Sequence, residues 1–252
     1  PCRSLPETFD QLARQDGAAA VVPIENSVEG PVTQTLDLLA ATRGLTVTAA
    51  FGLPVRHCLA VSPGVAPGDI RTVYSHPQAL AQCGIWLDTH LSGALRVPLA
   101  STSEAARRAA GEAAAAAVAS RLAASLYGLK IVTADIQDSP NNETRFIAVV
   151  RGAAPCPAAA VAGPLHSLLH LVAPDRPGAL LHLLAPFHDA AMNLSFIQSR
   201  PLQGRAWQYG FFIEAEGNVL DSAFTGVLLR LRQTAESMRV LGVYPSGRSE
   251  PG

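Results

Sequence analysis

Apolar residues in this chain fall into short blocks, some continuous and some spaced three or four apart, with polar loops between them. Ser4-x-x-Glu7 is a helix-capping box, and the pattern from Ser4 to about Asp16 predicts a helix. The run "AAAVVPI" (18–24) suits a buried strand. "ENSVEGP" turns the chain, and "VTQTLDLLAA" predicts a helix with Pro31 in its first turn. Strands are expected at about 45–51, 54–61 and 70–74, then a helix over roughly 77–89, a strand at 95–98 and a helix after "STSE". In "GEAAAAAVASRLAASLYGL", alanine propensity favours one long helix. Its likeness to the earlier "DGAAAVVPIENS" favours instead a strand to Ala119, then a helix capped by Ser120 and ended by Gly128. "IVTADI", a polar loop and the strand "RFIAVV" complete this half.

Short strands alternating with helices predict an α/β domain with a largely parallel sheet, in which ligands bind beyond the carboxyl ends of the strands. "IENS", "STSE" and "NNET" all stand at junctions of that kind, which suits them to one cleft. "GAAPCPAAAVAGP" (152–164) is an Ala/Pro/Gly linker. Beyond it the pattern reads strand (166–173), helix (178–190), strands (193–200 and 207–215), helix (221–236) and strand (238–243). That order is βαββαβ, a ferredoxin-like module. The expected division is therefore residues 1–152, a linker 153–164, a second domain 165–245 and a tail 246–252.

Composition narrows the classes of function. The chain has 252 residues, 48% hydrophobic and 15% charged, with a net charge of −1, so it carries no basic field for nucleic acid. No apolar run has the length of a membrane span. Cys2, Cys58, Cys83 and Cys156 are far apart and include no C-x-x-C, which favours reduced thiols and a cytoplasmic location. Lys130, the only lysine, follows an apparent helix end and is a poor Schiff-base candidate. The chain starts at Pro1 with a helix and no preceding strand, so residues before Pro1 are expected to be missing from this sequence.

Taken in order, "VPIENSVEGPVTQTLDLL", "HCLAV", "YSHPQALAQC", "STSEAA", "YGLKI", "DIQDSPNNETRF", "PGALLHLLAPF", "MNLSFIQSRP" and "YGFFIEAEG" cover nearly the whole chain. This assembly resembles the prephenate dehydratase family. The resemblance implies a two-lobed, periplasmic-binding-like catalytic domain and a C-terminal ACT domain that binds phenylalanine as feedback inhibitor. It implies a reaction needing no cofactor and no metal, and a homodimer or homotetramer. Two departures stand out: Gln198 replaces the glutamate of the family's E-S-R-P pattern, and the strand with a Gly-Pro-x-Gly-Thr loop that normally opens the family is not in this sequence. Arogenate dehydratase and a non-catalytic amino-acid sensor are the rival readings.

The resemblance assigns proton donation to Thr144, for which Asn142 is an expected neighbour, while a plain turn explains the same letters. Asn142-Glu143-Thr144 also fits a glycosylation sequon. Arg145 offers a fork for a carboxylate, but neighbours in a strand face opposite ways, so it is either a substrate contact or a structural ion pair. Asn26 and Ser27 are expected to hydrogen-bond the substrate, with Glu25 orienting its neighbours. Ser101 and Thr102 open a helix whose amides suit a carboxylate, and plain N-capping explains them equally. His76 and Gln78 are weaker substrate-site candidates. His166 and His170 share one strand face, and exposed or interface histidines are expected there in place of a metal site. For phenylalanine, the resemblance points to Gly178, Ala179, Leu180, Asn193, Leu194, Ser199 and Arg200.

Overall fold

The computed structural model describes Cys2 and residues 4–152 and 163–248. In chain order the elements are α1 (Leu5–Arg14), β1 (Ala19–Asn26), β2 (Gly30–Pro31), α2 (Thr33–Ala41), β3 (Leu45–Pro54), β4 (Cys58–Val61) and β5 (Thr72–Ser75). Next come α3 (Pro77–Gln82), α4 (Gly84–His90), β6 (Leu95–Pro98), α5 (Thr102–Ala110), β7 (Ala115–Ala119), α6 (Arg121–Leu126) and β8 (Lys130–Thr133). The last are β9 (Glu143–Arg151), β10 (Leu165–Val172), α7 (Ala179–Asp189), β11 (Leu194–Pro201), β12 (Tyr209–Glu216), α8 (Thr225–Thr234) and β13 (Ser237–Arg248). Two compact units result: one joins the chain up to Leu53 with the chain from Glu143 onward, and the other is Pro54–Asn142. The expected linker falls mostly on residues 153–162, outside the described residues.

The first unit is built on an eight-stranded sheet in the order β11-β12-β10-β13-β3-β9-β1-β2. β9 runs antiparallel to β1, β10 antiparallel to both β12 and β13, and β13 parallel to β3. The second unit has a five-stranded sheet, β6-β5-β7-β4-β8, in which β5 is parallel to β6 and β7 while β4 is antiparallel to β7 and β8. The fold is thus mixed α/β, and the expectation of largely parallel sheets is corrected. Alternation of strands and helices suggests right-handed crossovers. Here the chain leaves the first sheet after β3 and returns as β9, which pairs with β1 in the reverse direction. The βαββαβ order beyond the linker is observed.

The alanine-rich stretch folds as a strand followed by a helix. Every residue of β7 is buried, and Ala105, Ala106 and Ala109 of α5 pack against it. Small side chains on both partners suit such close helix–sheet packing, so tertiary burial overrides alanine's helix propensity. Ser120 caps α6, its Oγ accepting from the Ala123 amide at 3.1 Å. Ser4 does the same for α1 through the Glu7 amide at 3.3 Å. Other boundaries move: the helix expected over 77–89 breaks at Cys83, α2 starts at Thr33 after Pro31 has joined β2, and β9 begins at Glu143.

One core of the first unit gathers Phe9, Ile24, Leu36 and Ile147 with Leu168, Phe212 and Tyr244 of the βαββαβ module. The module is therefore continuous with the sheet that carries β1 and β9. Its other face packs Leu169, Leu171, Leu183, Phe187, Ile213 and Leu231.

His166 and His170 are both buried, against expectation, because β10 lies inside the sheet with a strand on each side. His170 packs on Phe212 with ring centroids 4.7 Å apart. Burial, with Arg239 nearby, pushes its imidazole pKa down to about 4. The unfolded chain, with an ordinary imidazole near 6.5, takes up this proton first, so stability falls as pH drops below the unfolded value. Between roughly pH 6.5 and pH 5 the expected loss is on the order of 2 kcal/mol. Urea midpoints at those two pH values should show it in the wild type, and His170→Gln should flatten the slope. A wild-type midpoint independent of pH in this window would contradict it.

Cys2, Cys58 and Cys83 are free thiols, and burial raises the Cys83 pKa to about 12. Cys156 lies outside the described residues. Among the described residues no helix is long and apolar enough to cross a membrane.

Candidate active site

In the first unit, the end of β1 and the start of β9 bring the candidate residues together. Asn26 lies opposite Thr144 and Glu25 opposite Arg145. The Asn26 side chain is buried and its hydrogen bonds fix it from both ends. Its Oδ1 accepts from the amides of Val28 and Glu29 at 3.0 and 3.1 Å, closing the turn after β1. Its Nδ2 donates to Thr144 Oγ1 at 3.0 Å and to the Glu143 carbonyl at 3.3 Å. With a lone pair of Thr144 taken by Asn26, the Thr144 O–H is left to donate elsewhere. Asn26 is thus a neighbour that orients the threonine. Ser27 Oγ accepts from the Glu143 amide at 2.9 Å, so Ser27 ties the turn to β9. On the face shared with Thr144, Phe146 stacks on Phe51 of β3, centroids 6.0 Å apart, and gives that face an apolar wall.

Arg145 lies within β9 and points to the other face. Its guanidinium forms an ion pair with Glu214 of β12, whose side chain is 1% exposed. Glu214 also accepts from Ser195 Oγ at 2.6 Å and from Tyr244 Oη at 2.6 Å, and it meets His166 Nδ1 at 3.0 Å. Burial acts to raise the Glu214 pKa, but the charge of Arg145 and these hydrogen bonds prevail and hold it below the ordinary carboxylate value. Burial raises the Glu25 carboxyl, with Arg145 opposing. Of the two readings of Arg145, the geometry is that of the ion pair.

The second unit holds the remaining candidates. Asn142 is buried and its carbonyl accepts from the Val55 amide at 2.8 Å, a poor setting for a glycan. His76 caps α3, its Nδ1 accepting from the Gln78 amide at 3.3 Å. Ser101 caps α5 through the Glu104 amide at 3.0 Å, while Glu104 accepts from the Ala100 amide at 3.3 Å and Thr102 opens the helix. His57, which sequence reading passed over, is buried with Nε2 at 2.9 Å from Gln82 Oε1. Its Nδ1 is a buried ring nitrogen with no hydrogen-bond partner among the described residues. The only signal for it was its place in "HCLAV". Among the described residues no cluster of histidine, cysteine and carboxylates could hold a metal ion.

In the βαββαβ module a cavity of about 290 Å³ lies at the start of α7. Gly178, Ala179 and Leu180 line it, with Trp207 and Tyr209 on another side. Gly178 is the helix N-cap at φ 77°, a backbone state that glycine adopts without strain. The Ala179 amide is not free for a ligand, since it donates to the Arg176 carbonyl at 3.2 Å. Asn193, Leu194, Ser199 and Arg200 do not line this cavity. Asn193 donates to Glu216 at 2.8 Å, Gln198 donates to the Ser199 carbonyl at 2.9 Å, and Leu194 and Ser199 pair in β11 with β12. Arg200 forms a two-pronged pair with Asp37 of α2 at 2.7 and 2.6 Å.

Residues 1–154 match the prephenate dehydratase family model. This chain belongs to the prephenate dehydratase family. A bifunctional chorismate mutase/prephenate dehydratase of Neisseria gonorrhoeae is 36% identical over 247 residues, covering 97% of this chain and 67% of the relative. The chain thus spans about two thirds of such bifunctional relatives. A prephenate dehydratase of Mycobacterium sp. (strain JLS) is 38% identical, with 98% of this chain and 77% of the relative covered. The prephenate dehydratase of Arthrobacter aurescens, solved in complex with L-Phe, superposes with a TM-score of 0.85 at 35% identity, covering 97% of this chain and 80% of that one. A solved structure described as a quorum-quenching acylase also superposes, at TM-score 0.84 and 30% identity over 98% of this chain and 88% of that one. Fold alone therefore does not fix the chemistry.

Proposed function

We propose that this prephenate dehydratase family member converts prephenate to phenylpyruvate, with Thr144 as proton donor, and that phenylalanine inhibits it through the C-terminal module. The observation that carries the first part is the Asn26–Thr144 hydrogen bond at 3.0 Å. Prephenate has a ring carboxylate and, across the ring, a hydroxyl. When the bond to the carboxylate breaks, its electron pair enters the ring and CO2 departs. The opposite C–O bond breaks, and the oxygen leaves as water once it has taken a proton. Thr144 Oγ1–H delivers that proton, and the Asn26 N–H steadies the negative charge left on Oγ1 until solvent restores the proton. A threonine hydroxyl is a weak acid, so it needs such a fixed donor.

Asn26, Ser27, His76, Gln78, Ser101, Thr102 and Asn142 remain the proposed substrate-site residues. The helix start at Ser101 is the candidate for a substrate carboxylate, by its amides and the dipole of α5. No cofactor or metal enters this reaction scheme. Residues 1–152 would be the catalytic domain, two-lobed and periplasmic-binding-like, and 165–245 an ACT domain of ferredoxin-like topology. The family match over residues 1–154 supports the first assignment, and the strand order β11-β12-β10-β13 supports the second. The protein is placed in the cytoplasm, where free thiols persist.

For the effector, the cavity beside Gly178 suits an aromatic amino acid, and the L-Phe complex of the Arthrobacter aurescens protein supports it. Trp207 and Leu181 at its rim are 87% and 67% exposed, an apolar surface suited to a second copy in a homodimer or homotetramer. Asn193, Leu194, Ser199 and Arg200 would then act at or beside that interface. Gly178→Val forces a β-branched residue into a left-handed conformation. It should raise the phenylalanine concentration for half-inhibition by about tenfold or more, a loss of roughly 1.4 kcal/mol in binding. Wild-type sensitivity would remove Gly178 from the site. Turnover of prephenate and arogenate by the wild type, measured side by side, tests the substrate: prephenate should be strongly preferred, and a preference for arogenate would replace this reading.

A further inference from the structure

Among the described residues of the first unit, Glu214 is the most heavily engaged buried charge. Its partners within the βαββαβ module come one from each of the other three strands: His166 from β10, Ser195 from β11 and Tyr244 from β13. Glu214 itself belongs to β12, so all four strands of the module meet at one carboxylate. Its remaining partner, Arg145, belongs to β9 and is the residue next to Thr144. Tyr244 is fully buried, and its hydroxyl proton is held tightly: burial, and then the carboxylate, push its pKa well above the usual value.

A buried ion pair is a poor device for stability alone, because well-packed apolar residues of similar volume do as well or better. Its distinctive property is geometric. A carboxylate with several donors and a guanidinium fork has one good arrangement, and a shift of any contributing strand disturbs it. The other side of β9 is fixed by Asn26, which holds Thr144. Arg145 and Thr144 therefore pin the same short piece of strand from opposite faces.

We propose that Glu214 is a positioning residue: through Arg145 it sets the placement of Thr144, and it makes that placement depend on the state of the βαββαβ module. This rests on the reading of Thr144 as proton donor. The path for an effector bound beside Gly178 then runs through the module's strands to Glu214, from there to Arg145, and so to β9. A misplacement of about 1 Å at the reacting group is enough to cost on the order of 100-fold in rate.

The test uses the full chain and Glu214→Gln, which keeps the shape and removes the charge. The expected result is a fall in kcat of about 10- to 100-fold, little change in KM, and a weakened response to phenylalanine. Arg145→Gln should give the same loss, and the double variant should be no worse than either single one, since the pair acts as a unit. Unchanged kcat with only a lowered melting temperature would overturn the proposal, as would losses that multiply in the double variant. If Glu214→Gln does not fold, Tyr244→Phe, which removes one donor, should shift kcat in the same direction, and an unchanged kcat there overturns it. Should the wild type not turn over prephenate, the functional reading fails, and amide hydrogen exchange decides the structural link by itself. Faster exchange at Thr144–Ile147 in Glu214→Gln, with β7 unchanged, upholds the link, and equal exchange overturns it.

Discussion

Arg145→Ala is expected to destabilise the fold by about 3–5 kcal/mol at neutral pH, because it strands a buried carboxylate. Glu214 would keep the hydroxyls of Ser195 and Tyr244 and the ring of His166, but no cation with a fixed charge. Hydrogen bonds from hydroxyls do not replace a guanidinium for an ion that is 1% exposed. The sign of the pH dependence follows from the same pair. In the wild type the Glu214 pKa is depressed, so its contribution is full above the unfolded carboxylate value and is lost as pH falls through the folded one. Without Arg145 the carboxylate can escape its burial penalty by taking a proton. The gap between variant and wild type should therefore be widest near neutrality and narrow toward about pH 4. Urea unfolding of both proteins across that range measures it. A loss below about 1 kcal/mol at neutral pH would mean that the pair behaves as a screened surface contact.

The sequence made parts of this arrangement readable and hid others for physical reasons. The alternation of side chains along a strand already set Thr144 against Arg145, and both residues lie within β9, which starts at Glu143. The alanine-rich stretch was readable because Ser120 and Gly128 bound a short helix whatever the propensity of the alanines. The Asn26–Thr144 bond was not, since it joins residues 118 positions apart and depends on the register between β1 and β9. Strand direction was hidden too, because a strand that leaves a sheet and one that returns to it have the same pattern. Glu214 stands in "FFIEAEG", where an acidic residue between apolar ones reads as an ordinary outward position. Only the fold shows that it faces a half-buried arginine from a distant segment. His57 was masked in a similar way, by a motif whose other residues are plainly core.

Thr144→Val should lower kcat for prephenate by about 100- to 10,000-fold, the usual contribution of a placed general acid. Valine keeps the β-branch that suits a strand and removes only the hydroxyl. Asn26 Nδ2 loses one acceptor and retains the Glu143 carbonyl at 3.3 Å, so the turn after β1 should hold and the fold should survive. Thr144→Ser, which restores the hydroxyl, should recover much of the rate. The most direct test of the whole account is thus the kcat of wild type and Thr144→Val on prephenate under one set of conditions. The account predicts rapid formation of phenylpyruvate by the wild type and a collapse in the valine variant. Near-normal turnover by Thr144→Val would contradict it.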